Sequence, residues 1–430
     1  MRRQCADGCA VSDRPLPDLA LARSLFDALA EKTCCPSGYS RPSYGDGEQI
    51  AHDLVRQAAA VLGLESATDA AGNLCMTLRG RDGSAPPIVV GSHLDSVPHG
   101  GNYDGAAGVI AGLAAAAGLC RAGIAPSRDV MIMAIRAEES TWFPSSYIGS
   151  RAALGLLPAE TLDTVVRSDT GRTLAEHMAV AGFDPEAVRR GRKHFSPAAL
   201  GAFIEVHIEQ GPVLEQSGTP LGIVTGIRGG LRYRAARCLG AYGHSGAEPR
   251  RLRRDAVFAM SHLVVELDAL WREMEAAGAD VTITVGQFTT DPEMHAFSKV
   301  PGEVSFSLDV RSQSVATMDE VHRHFLRMCE LTAEERGVRF ELGPLIRSTP
   351  ALMDDTLRAR MVRIAHDLGI PALEMASGAG HDAAVFANSG VPTAMLFIRN
   401  ANGSHNPDEA MAMEDFATAT TVLIELLASA

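Results

Sequence analysis

Residues 87–120 read PIVVGSHLDSVPHGGNYDGAAGVIAGLAAAAGLC. The apolar run Pro87–Val90 ends abruptly in a Gly- and His-rich segment beginning at Gly91, the pattern of a buried strand that delivers a loop. Gly105–Gly123 is long, apolar and built of small residues, which predicts a buried helix. Val130–Ile135 is then a continuous apolar run, as expected of a parallel strand covered on both faces. A strand, a polar loop, a helix and a second strand in this order point to an α/β sandwich.

The same rhythm extends outward. Upstream, Gln49–Leu64 has helical periodicity and Leu74–Leu78 reads as a strand; downstream, Ala202–Ile208 and Gly222–Ile227 are strand candidates. Composition then changes at the Gly/Arg-rich segment 226–237. From there to about residue 347 the strand candidates Leu231–Cys238, Val281–Phe288, Glu303–Val310 and Val338–Leu342 interleave with helical patterns at Asp255–Ala277 and Met318–Arg336. This β-α-β-β-α-β order predicts a small ferredoxin-like α+β domain. After Ser348 the α/β rhythm returns, with Thr356–Leu368 helical, Thr393–Ile398 a strand and Glu414–Leu427 a closing helix. The expected organisation is therefore a larger α/β domain over 1–225 and 348–430, with the smaller domain, 226–347, inserted into it. A chain of 430 residues exceeds the size at which one core stops growing, about 250–300 residues.

Charge narrows the function. With 39 Lys and Arg against 52 Asp and Glu, the net charge is −13, which disfavours nucleic acid and anionic membrane and leaves a small molecule as the expected partner. The N-terminus lacks the unbroken apolar stretch of a signal peptide, and Ala106–Cys120 is too short to span a bilayer, so a cytoplasmic location is expected. The eight cysteines form no C-x-x-C pair and read as reduced thiols; Cys5 and Cys9 fall in what reads as an N-terminal tail.

Polar residues cluster where strands end. His93, Asp95, Asp104, Glu138, Glu139, His207 and His405 occur in GSHLDSVPHGGNYDGAAG, AEES, EVHIEQGP and NGSHNPDE. Imidazole and carboxylate are the ligands that divalent metals such as zinc prefer, and open α/β sheets place ligands at the carboxyl ends of strands. Any one such histidine is usually a hydrogen-bonded structural residue; the set together is not. Strand periodicity sends His93 and Asp95 to one face, so Asp95 can orient a metal-bound neighbour. Of the adjacent Glu138 and Glu139, one can ligate while the other serves as general base.

The segments GSHLDSVPHGGNYDGAAGV, EES, EVHIEQGPVLE, SGAGHDA and GSHNPDE strongly resemble the amidase family of N-carbamoyl-L-amino-acid hydrolases, allantoate amidohydrolases and β-ureidopropionases. The likeness runs from about Gly38 to the C-terminus, and HIEQGPVLE is specific to this branch of the wider aminoacylase and carboxypeptidase superfamily. The resemblance implies two divalent metal ions per subunit, zinc first, with Mn, Co or Ni also suited. It makes His93, Asp104 and His207 ligands of one ion and Asp104, Glu139 and His405 ligands of the other, with Asp104 bridging. Glu138 matches the general base and Asp95 the carboxylate that steadies the His93 ring. Gln210 matches a substrate-contacting glutamine, His244 in GHSGAEPR a histidine that stabilises an oxyanion, and Arg311 in DVRS an arginine that binds a carboxylate. A turn residue and a surface ion pair are the plainer roles open to His244 and Arg311. The inserted domain is implied to act as a lid and to form a homodimer, and because it carries His244 and Arg311 catalysis is expected to involve domain closure.

This sequence departs from the family at the substrate side. Ser298, three residues before Pro301-Gly302, stands where many relatives have an asparagine; Trp142-Phe143 stands for Arg-Phe, and Phe397-Ile398-Arg399-Asn400 for an apolar-Pro-Ser segment. Trp142 or Arg399 is therefore expected to reshape the pocket, with Ser298 and His381 completing the substrate side and His295 unassigned. The expected activity is hydrolysis of a C–N bond in a carbamoyl or ureido substrate. An aminopeptidase, dipeptidase or N-acyl-amino-acid deacylase of the same superfamily is the competing enzyme reading, and a non-catalytic binding protein is the remote one.

Overall fold

The computed structural model describes residues 14–429, so Cys5 and Cys9 lie outside the described residues. The chain divides into two compact units. The first comprises residues up to Thr225, Met353–Met375 and His381–Ala430; the second comprises Gly226–Leu352 and Ala376–Gly380. The second unit thus runs to Leu352 rather than to 347, and it takes in a short later stretch that periodicity alone does not mark.

In chain order the first unit begins with α1 (Leu19–Thr33) and α2 (Asp46–Val61), followed by strands β1 (Glu65–Thr68), β2 (Leu74–Leu78) and β3 (Ile88–His93). Helix α3 (Ala106–Ala122), β4 (Val130–Ile135), β5 (Ala202–Ile208) and β6 (Leu221–Ile227) follow. The second unit supplies β7 (Gly229–Leu239), α4 (Ala256–Ala276), β8 (Thr282–Thr284), β9 (Phe288–Thr290), β10 (Glu303–Ser312), α5 (Val315–Arg336) and β11 (Arg339–Glu341). The chain closes with α6 (Asp355–Asp367), α7 (Asp382–Asn388), β12 (Thr393–Ile398) and α8 (Met413–Ala428).

The sheet of the first unit runs β6-β12-β5-β3-β4-β2-β1. Its centre is parallel: β12 with β5, β5 with β3, and β3 with β4, in a register that sets Phe397 beside His207 and His93 beside Ile135. Helix α3 is buried nearly all round, as its run of Ala, Gly and Val requires, and packs with α1, α2 and α8. Ile88, Val90, Ile132, Ala134, Ile204, Val206, Leu396 and Ile398 join it in one core. Phe203, of the other parity on β5, stacks instead on Phe386 of α7, with ring centroids 3.8 Å apart. A fully buried side chain of this size contributes about 1.5–3 kcal/mol, so the two-sided covering fixes the sheet and with it the loops at its carboxyl edge.

The second unit holds an antiparallel sheet in the order β8-β10-β7-β11, with β9 also on β10. Strand β10 alternates strictly, burying Val304, Phe306, Leu308 and Val310, and α4 and α5 pack against it and β7. Period two with one covered face is what an antiparallel strand under helices requires. Asp255 caps α4 by accepting from Val257 N and Phe258 N, and Ser314 caps α5 by accepting from Thr317 N. The single strand expected over Val281–Phe288 is two pieces, β8 and β9, each pairing with β10.

Candidate functional site

Four neighbouring parallel strands, β4, β3, β5 and β12, end on one edge of the first unit. Each contributes from its end or from the loop beyond: Glu138 and Glu139 after β4, His93 closing β3, His207 one residue before the end of β5, and His405 in the loop after β12. Asp104 arrives from the β3–α3 loop. Among the described residues, three of the seven non-glycine residues with positive φ, Ala137, Gln210 and His405, lie at or beside this cluster. Such backbone costs about 1–3 kcal/mol per residue and persists where the surroundings dictate it.

Asp104 is the centre of the cluster. Its Oδ1 lies 3.2 Å from His207 Nε2 and 3.5 Å from His93 Nε2, and its Oδ2 lies 3.2 Å from His405 Nε2. His405 Nε2 is also 3.2 Å from Glu139 Oε1. The ligand atoms of His93, Asp104 and His207 all fall within 4.8 Å of one another, as do those of Asp104, Glu139 and His405. One carboxylate therefore belongs to two triads, one on each oxygen.

Hydrogen bonding shows which ring nitrogens are available. His93 Nδ1 is 3.0 Å from the Asp95 carbonyl and His207 Nδ1 is 2.8 Å from the Ile208 carbonyl. A carbonyl only accepts, so each Nδ1 carries the proton and each Nε2 presents a lone pair inward. The amide of Gly105 donates to His207 Nε2 at 3.2 Å, which requires the same tautomer. The two Nε2 atoms are 3.4 Å apart, and Asp104 Oδ1 is buried without a hydrogen-bond donor. Two lone pairs and an undonated carboxylate oxygen converging on one point are satisfied by a cation, so this donor set fits a divalent metal. Gly105 is required here, because a Cβ on it would meet the His93 ring at 2.5 Å.

A proton competes with a metal ion for these Nε2 atoms, and the same crowding governs that competition. Burial pushes His93 down, but Asp104 and Asp95 outweigh it and raise it well above the usual histidine range. His207 is also raised, by Asp104 against burial, and His405 is raised to about 10 by hydrogen bonds to Asp104 and Glu139. Burial pushes Glu138 well up, with Glu139, Asp382 and Asp95 adding to it and His93 opposing. His381 is driven well down by burial, which keeps its ring neutral.

Asp95 organises the acidic pair from behind. Fully buried, its Oδ1 accepts from Glu138 N at 3.0 Å and its Oδ2 accepts from Glu139 N at 3.2 Å and Ser43 Oγ at 2.6 Å, while Oδ1 also lies 3.4 Å from His93 Nδ1. Gln210 donates from Nε2 to Asp104 Oδ2 at 2.9 Å. His381 is buried, its ring 4.5 Å from that of His207.

The remaining predicted residues belong to the second unit. His244 sits on the two-residue strand Gly243–His244, paired with Lys299–Val300, and its Nδ1 accepts from Gly246 N and Ala247 N. The carbonyl of Ser298 accepts from Ser245 N at 3.1 Å. Arg311, on β10, forms an ion pair through Nε and Nη2 with Asp309 Oδ2 and donates from Nη1 to the Gly378 carbonyl. His295 Nδ1 is 2.7 Å from Thr290 Oγ1. Trp142 and Arg399, the two departures expected to reshape the pocket, each have structural partners. Trp142 is packed in a core with Phe143 and Ile148, its indole donating to the Ser96 carbonyl, and Arg399 is paired through two hydrogen bonds with Asp415.

Sequence reading missed three residues that touch the cluster. Ser404 and Glu409 stand in the GSHNPDE segment but carry no role there, although their closeness to His405 was a signal. Arg41, fully buried, donates to the Leu94 and Asp104 carbonyls; nothing in YSRPSYG announces it. A 440 Å³ cavity lined by Asp69, Asp184, Arg192 and His194 shares no residue with the cluster.

The profile of Peptidase family M20/M25/M40 matches residues 89–429. An N-carbamoyl-L-amino acid amidohydrolase from Geobacillus stearothermophilus is 36% identical over 388 residues, 90% of this chain and 92% of its own. An allantoate amidohydrolase from Bacillus subtilis is 32% identical over 394 residues, 91% of this chain and 92% of its own. Among solved structures, a hydantoinase/carbamoylase family amidase from Burkholderia ambifaria superposes with a TM-score of 0.84 at 31% identity, covering 96% of each chain. The chain belongs to the peptidase family M20/M25/M40 and, within it, to the hydantoinase/carbamoylase family of amidases.

Proposed function

We propose that this chain is a binuclear metal-dependent amidohydrolase that cleaves a C–N bond of a small carbamoyl or ureido substrate, an N-carbamoyl amino acid or an allantoate-like ureide. The observation that carries the reading is the single Asp104 carboxylate shared between two triads of buried donors. The full-length similarity to an N-carbamoyl-L-amino acid amidohydrolase and an allantoate amidohydrolase supports the substrate class.

His93, Asp104 and His207 would hold one ion and Asp104, Glu139 and His405 the other; zinc is the metal we infer, and Mn, Co and Ni suit the same donors. Such a pair supplies Lewis acidity and lowers the pKa of water. The chain's own residues do the rest. Glu138 takes a proton on its carboxylate and returns it to the leaving nitrogen. Asp95 holds the amides of Glu138 and Glu139, so that the carboxylate that moves the proton and the one that ligates keep fixed places. Gln210 and His381 orient the substrate from the first unit. His244 on the second unit meets negative charge developing on the carbonyl oxygen, Arg311 binds a carboxylate of the substrate, and Ser298 stands on the substrate side in place of an asparagine.

The second unit is further inferred to close as a lid and to carry the contact of a homodimer, which light scattering coupled to gel filtration tests. A cytoplasmic location suits the acidic chain and its free thiols. The function is tested by ammonia release from N-carbamoyl amino acids, allantoate and N-acyl amino acids, with chelator-treated protein and with Zn, Mn, Co or Ni restored. Metal-dependent ammonia from a carbamoyl or ureido compound is the expected result. Turnover confined to N-acyl or peptide substrates would overturn it in favour of a deacylase or peptidase, and metal binding without turnover would favour a binding protein.

A further inference from the structure

We propose that Glu409 is the positioning residue that sets the shared carboxylate of Asp104 and ties it to the loop of His405; the inference rests on the metal reading above. Asp104 and His405 reach the cluster from loops about three hundred residues apart in sequence, and the buried Glu409 side chain bonds to both loops. Its Oε1 accepts from Tyr103 N at 2.9 Å and Asp104 N at 3.2 Å. Its Oε2 is 2.5 Å from Ser404 Oγ, and the same hydroxyl is 2.9 Å from Asp104 Oδ2.

Two features show that the loop is built around this carboxylate. A Cβ on Gly101 would fall 2.1 Å from Glu409 Oε1, so the glycine admits the side chain to the loop's backbone. On the other side, Arg41 donates from Nε to the Leu94 carbonyl at 2.7 Å and from Nη2 to the Asp104 carbonyl at 3.3 Å. The backbone of Asp104 is thus held at its N–H by an anion and at its C=O by a cation, which fixes the point from which the shared carboxylate projects. The Ser404 hydroxyl has one proton and two carboxylate oxygens within reach, so it donates either to Glu409 Oε2 or to the oxygen of Asp104 that faces His405, and the position of Glu409 bears on which.

The experiment loads the purified protein with Co²⁺, records its visible absorption, and measures Co²⁺ release to a chromophoric chelator for wild type, Glu409→Ala, Glu409→Gln and the exposed neighbour control Asp408→Asn. Outer partners of metal ligands change affinity about 10–100-fold, so Glu409→Ala should release Co²⁺ that much more readily and show a changed spectrum. Glu409→Gln keeps a carbonyl oxygen for the two amides and should stay much nearer wild type, as should Asp408→Asn. Wild-type release and spectrum for Glu409→Ala would overturn the proposal, and so would equal losses in all three variants. If Glu409→Ala does not fold by circular dichroism, Glu409→Asp, which draws the carboxylate back by one methylene, must show the loss; wild-type behaviour there overturns the proposal as well. Failure of wild type itself to retain Co²⁺ would sink the metal reading, a result separable from a positioning failure.

Discussion

Replacing Asp95 with Asn should destabilise the first unit by about 2–3 kcal/mol. Asp95 Oδ1 accepts one backbone amide, that of Glu138, and Oδ2 accepts the amide of Glu139 and the Ser43 hydroxyl, all in a fully buried place. Asn has one accepting oxygen. Placed at Oδ2 it keeps Ser43 and Glu139 but turns its NH₂ against the Glu138 amide; placed at Oδ1 it keeps Glu138 and loses the other two. The first arrangement costs less, and it forfeits one hydrogen bond to a charged acceptor, worth about 1.5–3 kcal/mol, while a buried donor goes unsatisfied. That is a large share of a typical stability of about 5–15 kcal/mol. Urea unfolding of chelator-treated wild type and Asp95→Asn, followed by tryptophan fluorescence, measures the difference without any contribution from metal. A midpoint within about 0.5 kcal/mol of wild type would refute the reasoning, because it would mean that the Glu138 and Glu139 amides do not depend on Asp95.

Other expectations follow from the same geometry. Arg136 and Glu48 form a fully buried ion pair at 2.8 Å, and Glu48 also accepts from Tyr44 N and Ala137 N. Glu48→Gln alone should therefore cost about 3–5 kcal/mol, and the double variant with Arg136→Met less than the sum of the two, as denaturant titration will show. Metal at about a thousandfold above its dissociation constant should stabilise the first unit by about 4 kcal/mol, seen as a urea midpoint that falls when chelator is added; an unmoved midpoint would count against the site. Arg311→Ala should raise KM for a carboxylate-bearing substrate about tenfold or more while leaving kcat nearly intact, and a fall in kcat alone would remove Arg311 from the substrate side.

The sheet of the first unit was legible because its central strands are covered on both faces. Val130–Ile135 is a continuous apolar run, Ala202–Ile208 is apolar except at Glu205 and His207, and α3 declares itself through small residues. Strand β1, Glu65–Thr68, is wholly exposed and carries no alternation, so its place at the sheet edge comes from pairing with β2 and not from its own composition. The break between β8 and β9 was invisible because both pieces pair with one partner strand, and register is settled between strands. At the site, residue type and strand-end position gave the histidines and carboxylates. They could not give Arg41 or Ser43, whose roles depend on backbone carbonyls and on a carboxylate that are distant in sequence. Nor could they show that Trp142 and Arg399 are taken up by Ser96 and Asp415.

The central claim, that Glu138 moves the proton in a metal-dependent hydrolysis, is tested most directly by ammonia release from a carbamoyl or ureido substrate by wild type and Glu138→Gln at equal, verified metal content. A general base contributes about 10²–10⁴-fold, so the variant should hold its metal and lose turnover by that factor. Undiminished ammonia release from metal-loaded Glu138→Gln, or equal release from chelator-treated wild type, would contradict the account.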